Sequence, residues 1–155
     1  MMAAEAECGG LRVCGTVEEL TGRAEMKLTV VYRGGMHFCT NAQSGQLMCD
    51  ESSEVGKAYP SAPELLMASL GSCIGSVVAY YAGRHRMNLE GMSVALDWEI
   101  AEEPHRIGSI AVTVTLPLAL PEAQLTVMRR VADSCLIHNT LLHPPKIGTT
   151  IVAKA

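Results

Sequence analysis

Aromatic side chains are scarce: Phe, Trp and Tyr together make up 4% of the 155 residues. That removes the stacking platforms on which single-stranded nucleic acids are held. Charge is sparse as well, at 18% against about 25% in an average soluble domain. The net charge of −4 leaves no basic stripe for phosphate backbones, so no nucleic-acid partner is expected. No CxxC pair occurs among the six cysteines, Cys8, Cys14, Cys39, Cys49, Cys73 and Cys135, which does not read as a disulfide framework. Met1 to Glu7 is acidic and lacks the basic and apolar regions of a secretory signal. A reducing cytoplasm is therefore the expected location, with most cysteines acting as small buried hydrophobes. Repeats, low-complexity tracts and charge blocks are also lacking.

Apolar residues, in contrast, make up 48%. The length suits a single domain over residues 1–155, with residues 1–10 expected to be flexible. Leu11 to Leu20 and Glu25 to Tyr32 read as strands. Arg33-Gly34-Gly35 reads as a hairpin turn into Met36 to Thr40, and Gln46 to Cys49 as another strand. Asp50 to Tyr59 reads as a polar loop.

Ser61-Ala62-Pro63-Glu64 fits a capping box at a helix start. Leu65 to Gly83 follows without a single charge. Its length alone would suit a membrane span. Ser69, Ser72 and Ser76, with amphipathic strands on either side, point instead to a helix buried on nearly every side, and no membrane partner is expected. Leu66, Leu70, Cys73, Val77 and Tyr81 share one stripe. Gly71, Gly75, Ala79 and Gly83 share another, where a second helix could approach closely across a two-fold axis. Met92 to Ile100 and Ile110 to Leu116 alternate as antiparallel strands. Pro121-Glu122 opens a second helix, with Leu125, Met128, Ala132 and Cys135 along one side. A closing strand is expected over Lys146 to Ala153. The pattern is α+β.

Cys73 and Cys135 each lie on the inward stripe of a helix, and two helices on one sheet could bring them together. An inert pair of core cysteines is the plain alternative. Pro63-Glu64-Leu65-Leu66-Met67-Ala68-Ser69-Leu70-Gly71-Ser72-Cys73 resembles the P-x-E-L-L-x-A-x-x-x-C helix of the OsmC/Ohr family. Ser134-Cys135-Leu136-Ile137-His138-Asn139-Thr140-Leu141 resembles that family's C-P-V-H-x-T-L motif. The resemblance covers about residues 25–153, and within it the chain is similar to the less characterised OsmC-like subgroups.

The resemblance implies an intertwined homodimer, with antiparallel sheets wrapped around two central helices. It implies a thiol peroxidase that reduces organic hydroperoxides with a dithiol, such as a lipoyl group, as reductant. Cys73 would be the peroxidatic cysteine, passing through a sulfenic acid, and Cys135 would resolve it to a disulfide. No cofactor and no metal are implied. The family supplies an arginine and a glutamate to ionise the first cysteine. The glutamate position is Pro63 here, and Glu64 follows it, open to either a catalytic or a capping role. Arg33 is the placement that resembles the family's arginine, and Lys57 is the basic residue in the loop before the helix. His138 is a further candidate: Cys-x-x-His could ligate zinc, but a hydrogen-bonding role in the turn is favoured. The second function considered is a dimeric module that binds a hydrophobic ligand or senses redox state, without efficient turnover.

Overall fold

The computed structural model describes residues 28–42, 45–53 and 57–153. The proposed strand over Leu11 to Leu20, the flexible start, Cys8 and Cys14 lie outside the described residues. The chain divides into two compact units, Met1–Leu65 and Leu66–Ala155.

In the first unit, β1 (Thr29–Gly34), β2 (His37–Ala42) and β3 (Gly45–Asp50) form an antiparallel sheet in the order β1-β2-β3. The β1–β2 hairpin closes on Gly35 and Met36, one residue later than the sequence suggests, with Gly34 paired to His37. Both turn residues have positive φ, 56° and 62°, which matches the right-handed twist of the flanking strands. Glycine adopts this without penalty, whereas Met36 does so against its Cβ. Arg33 stands exposed near the end of β1. Tyr32 and Phe38 face each other across the hairpin, with ring centroids 5.4 Å apart.

The sheet leads into α1 (Ala62–Arg84). Glu64 reaches back to the residue before the helix: its Oε2 accepts the Ser61 amide at 2.7 Å and the Ser61 hydroxyl at 2.6 Å. Glu51 accepts the Ala62 amide. Orphan donors at the helix start are thus taken by carboxylates, which also suit the positive end of the helix.

In the second unit, β4 (Ser93–Ala101) and β5 (Arg106–Thr115) form an antiparallel pair. A bulge leaves Gly108 unpaired between Ile107, opposite Ile100, and Ser109, opposite Glu99; a Cβ there would lie 3.0 Å from that of Ala101. α1 lies on this pair. Its buried residues are Met67, Leu70, Gly71, Ile74, Val78 and Ala82. The inward stripe is therefore centred one position later than expected, and Leu66, Cys73, Val77 and Tyr81 are its half-buried flanks. Leu70, Ile74, Val78 and Ala82 form the core with Met128 and Cys135, packed against Val94, Leu96, Ile110 and Val114. Each such aliphatic side chain contributes about 1.5–3 kcal/mol by leaving water.

A Cβ on Gly71 would fall 2.8 Å from Leu96 Cδ1, and one on Gly75 would fall 3.7 Å from Val94 Cγ2. These two residues let the helix settle on its own β4, while Ala79 and Gly83 of the same stripe are exposed. Ser72, Ser76, Ala79 and Tyr80 form the exposed side. α1 is long and apolar enough to cross a membrane, but its apolar face is spent on this core. The helix ends in a Schellman motif: the Met87 amide bonds the Ala82 carbonyl at 2.9 Å, and Arg86 takes φ 57°.

α2 (Glu122–Asp133) and α3 (Leu136–Leu142) follow. The closing strand expected over Lys146 to Ala153 is absent. Residues 144–153 have no regular structure, and Ile147, Ile151 and Val152 are 88%, 92% and 86% exposed. A strand needs a neighbour for its amides and carbonyls, and the β4–β5 pair does not take this segment up.

Candidate functional site

Cys73 lies halfway along α1, on the half-buried flank nearest α3. Cys135 is fully buried and occupies the bend between α2 and α3. Ser134 closes α2, its hydroxyl bonding the Val131 carbonyl at 2.6 Å. Cys135 then turns to an extended conformation, φ −59° and ψ 139°, and becomes the N-cap of α3. Its sulfur accepts the His138 amide at 3.5 Å. Its carbonyl takes both the Asn139 amide at 3.0 Å and the Asn139 side-chain amide at 3.1 Å.

This bend brings the two cysteines together. The Cys135 thiol and the Ile137 and Leu136 amides lie near enough to Cys73 sulfur to act on its ionisation. Of the first three amides of α3, which have no partner inside the helix, that of His138 bonds Cys135 sulfur at 3.5 Å. The consequence is opposite for the two groups. The Cys135 thiol, the Ile137 amide and the Leu136 amide stabilise the Cys73 thiolate and lower its pKa from 9.0, against the effect of burial. For Cys135, burial dominates. Donation to Cys73 adds to it, and its pKa is raised in spite of the His138 and Ile137 amides. Of the two, Cys73 therefore ionises first and Cys135 keeps its proton longer.

The remaining candidates are placed as follows. Glu64 is held below the usual carboxylate range by the Ser61 hydroxyl and amide, with Lys57 assisting, and it caps α1. Lys57 donates to the Asp50 carbonyl at 3.2 Å. Arg33 belongs to the first unit, and no charged side chain contributes to the Cys73 shift. His138 is half-buried, with Nδ1 3.8 Å from Asp133 Oδ1. No group of three or more His, Cys, Asp or Glu suited to a metal exists among the described residues. Cys49 is a thiol kept protonated by burial and by the Glu51 carboxylate that accepts it at 3.3 Å. Cys39, expected to be an inert buried thiol, is buried but disulfide-bonded.

Sequence reasoning sought a cation for Cys73 and missed the amides of Leu136, Ile137 and His138. The signal was a cysteine directly before a short helix start, which makes it a cap.

Two cavities flank α3. One, of about 440 Å³, lies between α1, β5 and α2; Val78, Val114, Leu125 and Met128 line it. The other, of about 380 Å³, is lined by Leu66, Leu70, Ile110, Leu141 and Leu142. Val112 and His138 border both. Neither is lined by Cys73 or Cys135.

The profile of the family described as OsmC-like protein matches residues 55–150, more than half the chain and both cysteine motifs. The chain belongs to the OsmC-like family. Solved structures agree on the fold. A protein from Psychrobacter arcticus superposes with a TM-score of 0.69 at 18% identity, covering 78% of this chain and 91% of its own. The organic hydroperoxide resistance protein OsmC of Legionella pneumophila gives 0.59 at 15% identity, over 77% and 91%. The organic hydroperoxide resistance protein OhrB of Bacillus subtilis gives 0.53 at 16%, over 74% and 87%. At these identities the likeness concerns the OsmC fold, an α+β arrangement of antiparallel sheets and helices. None of the curated proteins matches the sequence significantly.

Proposed function

We propose that this OsmC-like protein is a thiol peroxidase for organic hydroperoxides, with Cys73 as the peroxidatic and Cys135 as the resolving cysteine. The observation that carries this is the juxtaposition of the two cysteines, Cys135 buried at the start of α3 and beside Cys73 on α1, with the pKa lowered at Cys73 and raised at Cys135. The Cys73 thiolate attacks the distal peroxide oxygen and the O–O bond breaks. The leaving alkoxide takes a proton from the Cys135 thiol and departs as an alcohol. Cys73 is now a sulfenic acid, and Cys135 is the thiolate beside it. Attack on the Cys73 sulfur forms the disulfide and releases hydroxide, which solvent protonates to water. A dithiol, lipoyl or similar, then reduces the bridge by exchange, itself becoming a cyclic disulfide.

Glu64 and His138 belong to this proposal as residues that hold the two helix starts rather than as acids or bases. The hydrogen bonds at Cys73 favour its ionisation without a charged side chain, and the Arg33→Ala variant tests whether Arg33 adds to them. We further propose a cytoplasmic homodimer. Ile147, Ile151 and Val152, with Leu136 at 74% and Tyr80 at 70% exposure, leave more apolar surface open than a lone subunit in water keeps. A second subunit would give the segment over 146–153 a sheet edge.

A second reading has its own observation. The two apolar cavities fall within the range of small-molecule sites yet touch neither cysteine, which suits a module that binds a hydrophobic ligand. Turnover decides between them. With a small dithiol, the peroxidase consumes an alkyl hydroperoxide faster than hydrogen peroxide. Cys73→Ser abolishes turnover, and Cys135→Ser permits one oxidation and then stalls or over-oxidises at Cys73. Wild-type protein that consumes no alkyl hydroperoxide with any dithiol is the ligand-binding module instead.

A further inference from the structure

The proposed cycle ends with a disulfide that a dithiol must reach, yet Cys135 has no exposed surface in the reduced protein. We infer that forming the Cys73–Cys135 bridge removes the N-terminal cap of α3 and loosens that helix, which opens the bridge to its reductant. The inference rests on the peroxidase reading and adds a conformational step to it.

The helix has seven residues, none of them buried, and a helix this short has no stability of its own in water. Leu136 and Leu142 are 74% and 64% exposed. Its fixed points are therefore at its start: the His138 amide on Cys135 sulfur, the Ile137 and Leu136 amides facing Cys73 sulfur, and Asn139 on the Cys135 carbonyl. Three of these groups depend on sulfur as an acceptor, and the His138 amide depends on the sulfur of Cys135 itself, at 3.5 Å.

Oxidation changes these contacts. The bridge replaces two sulfurs free to ionise and accept these amides with disulfide sulfurs, which are poorer acceptors. The contacts of the Leu136 and Ile137 amides to Cys73 sulfur are weakened. The sulfurs must also close from hydrogen-bonding contact to a covalent bond of about 2.05 Å. That draws Cys135 towards α1 and away from the His138 amide. α3 then keeps its Asn139 contacts and the half-buried Ile137 side chain against the core. The His138, Leu141 and Leu142 side chains line the 380 Å³ cavity, so loosening α3 opens that cavity from the α3 side.

The exchange that follows balances simply. One thiolate of the dithiol attacks a bridge sulfur, the S–S bond breaks and a mixed disulfide forms. The second thiol closes the reductant's ring and releases both cysteines, one as a thiolate and one as a thiol. Reduction returns Cys135 sulfur to the His138 amide and so restores the cap, and the helix closes only over a reduced site.

Amide hydrogen exchange on the full chain tests this, read over residues 136–142 in the reduced protein and after one equivalent of cumene hydroperoxide, with peptide mapping of the same samples. Exchange in α3 should accelerate on the order of tenfold or more in the bridged protein, while the Val78 region of α1 stays protected. Reduction with a dithiol should restore the slow rate. In Cys135→Ser, a good N-cap that cannot form the bridge, α3 should stay protected after the same treatment. A mapped Cys73–Cys135 bridge with unchanged or slower exchange in α3 overturns this inference and leaves the peroxidase reading standing. Failure to form the bridge overturns both.

Discussion

Cys135 caps the helix that follows it with its own sulfur, accepting the His138 amide at 3.5 Å, while its thiol faces Cys73. One residue thereby fixes the start of α3 and the protonation state of a second cysteine on α1. The lowered pKa of Cys73 follows first from this contact and then from the Ile137 and Leu136 amides.

The first prediction concerns pH. Alkylation of Cys73 by iodoacetamide should rise to its plateau with a midpoint below the usual thiol value of 9.0, whereas Cys135 in native protein should lag far behind. Cys135→Ala removes the largest stabilising contact and should move the Cys73 midpoint upward. The sign for stability follows from linkage. A lowered folded pKa contributes stability that is complete above 9.0 and is lost as pH falls through the folded midpoint. Cys73→Ser should flatten that rise in urea midpoints. The raised pKa of Cys135 acts the other way, contributing below 9.0 and fading as pH climbs through its folded value.

Glu64 and Arg33 separate the hydrogen-bond account from one based on a cation. Glu64→Ala should lower the melting temperature, because it frees the Ser61 amide and hydroxyl. It should leave the Cys73 alkylation rate at pH 7 within about twofold. Arg33→Ala should leave both unchanged. A rise of the Cys73 midpoint towards 9.0 in either variant would return that side chain to the site.

Packing of α1 gives a contrast within one helix. Gly71→Leu forces a branched side chain into the space of Leu96 and should destabilise by about 1–3 kcal/mol or more. Gly75→Ala meets only ordinary contacts at 3.7 Å and 3.8 Å. It should be neutral or stabilise by up to about 1 kcal/mol, the helix propensity of alanine over glycine. Urea unfolding monitored by circular dichroism measures both. Equal losses at the two positions would mean that the face serves another contact.

Much of this arrangement is legible in the sequence. Alternation marks β4 and β5, and Ser61 with Glu64 marks the start of α1. The Gly71 and Gly75 spacing correctly signals a close approach, but spacing carries no information on what approaches, and β4 does so here. The unbroken apolar run of α1 also blurs its inward face, so the stripe centres on Ile74 and Val78 rather than Cys73 and Val77. Residues 146–153 have strand composition, yet pairing depends on a neighbour outside the segment. Both cysteines are visible as motif positions. Their electrostatics are not, because the donors are backbone amides, which leave no mark in composition.

Association is tested by size. Light scattering coupled to gel filtration should give about twice the chain mass of 16.5 kDa. Removing residues 146–155 should shift the protein towards the monomer or make it aggregate. A monodisperse wild-type monomer would contradict the dimer.

The central claim is that Cys73 and Cys135 form one redox pair. It is tested most directly by peptide mapping of the full chain after one equivalent of an alkyl hydroperoxide, followed by a dithiol. The account predicts one new disulfide, between Cys73 and Cys135, formed with loss of two thiols and reversed by the dithiol. Two free thiols at these positions after oxidation, or a new bridge that joins either of them to another cysteine, would contradict it.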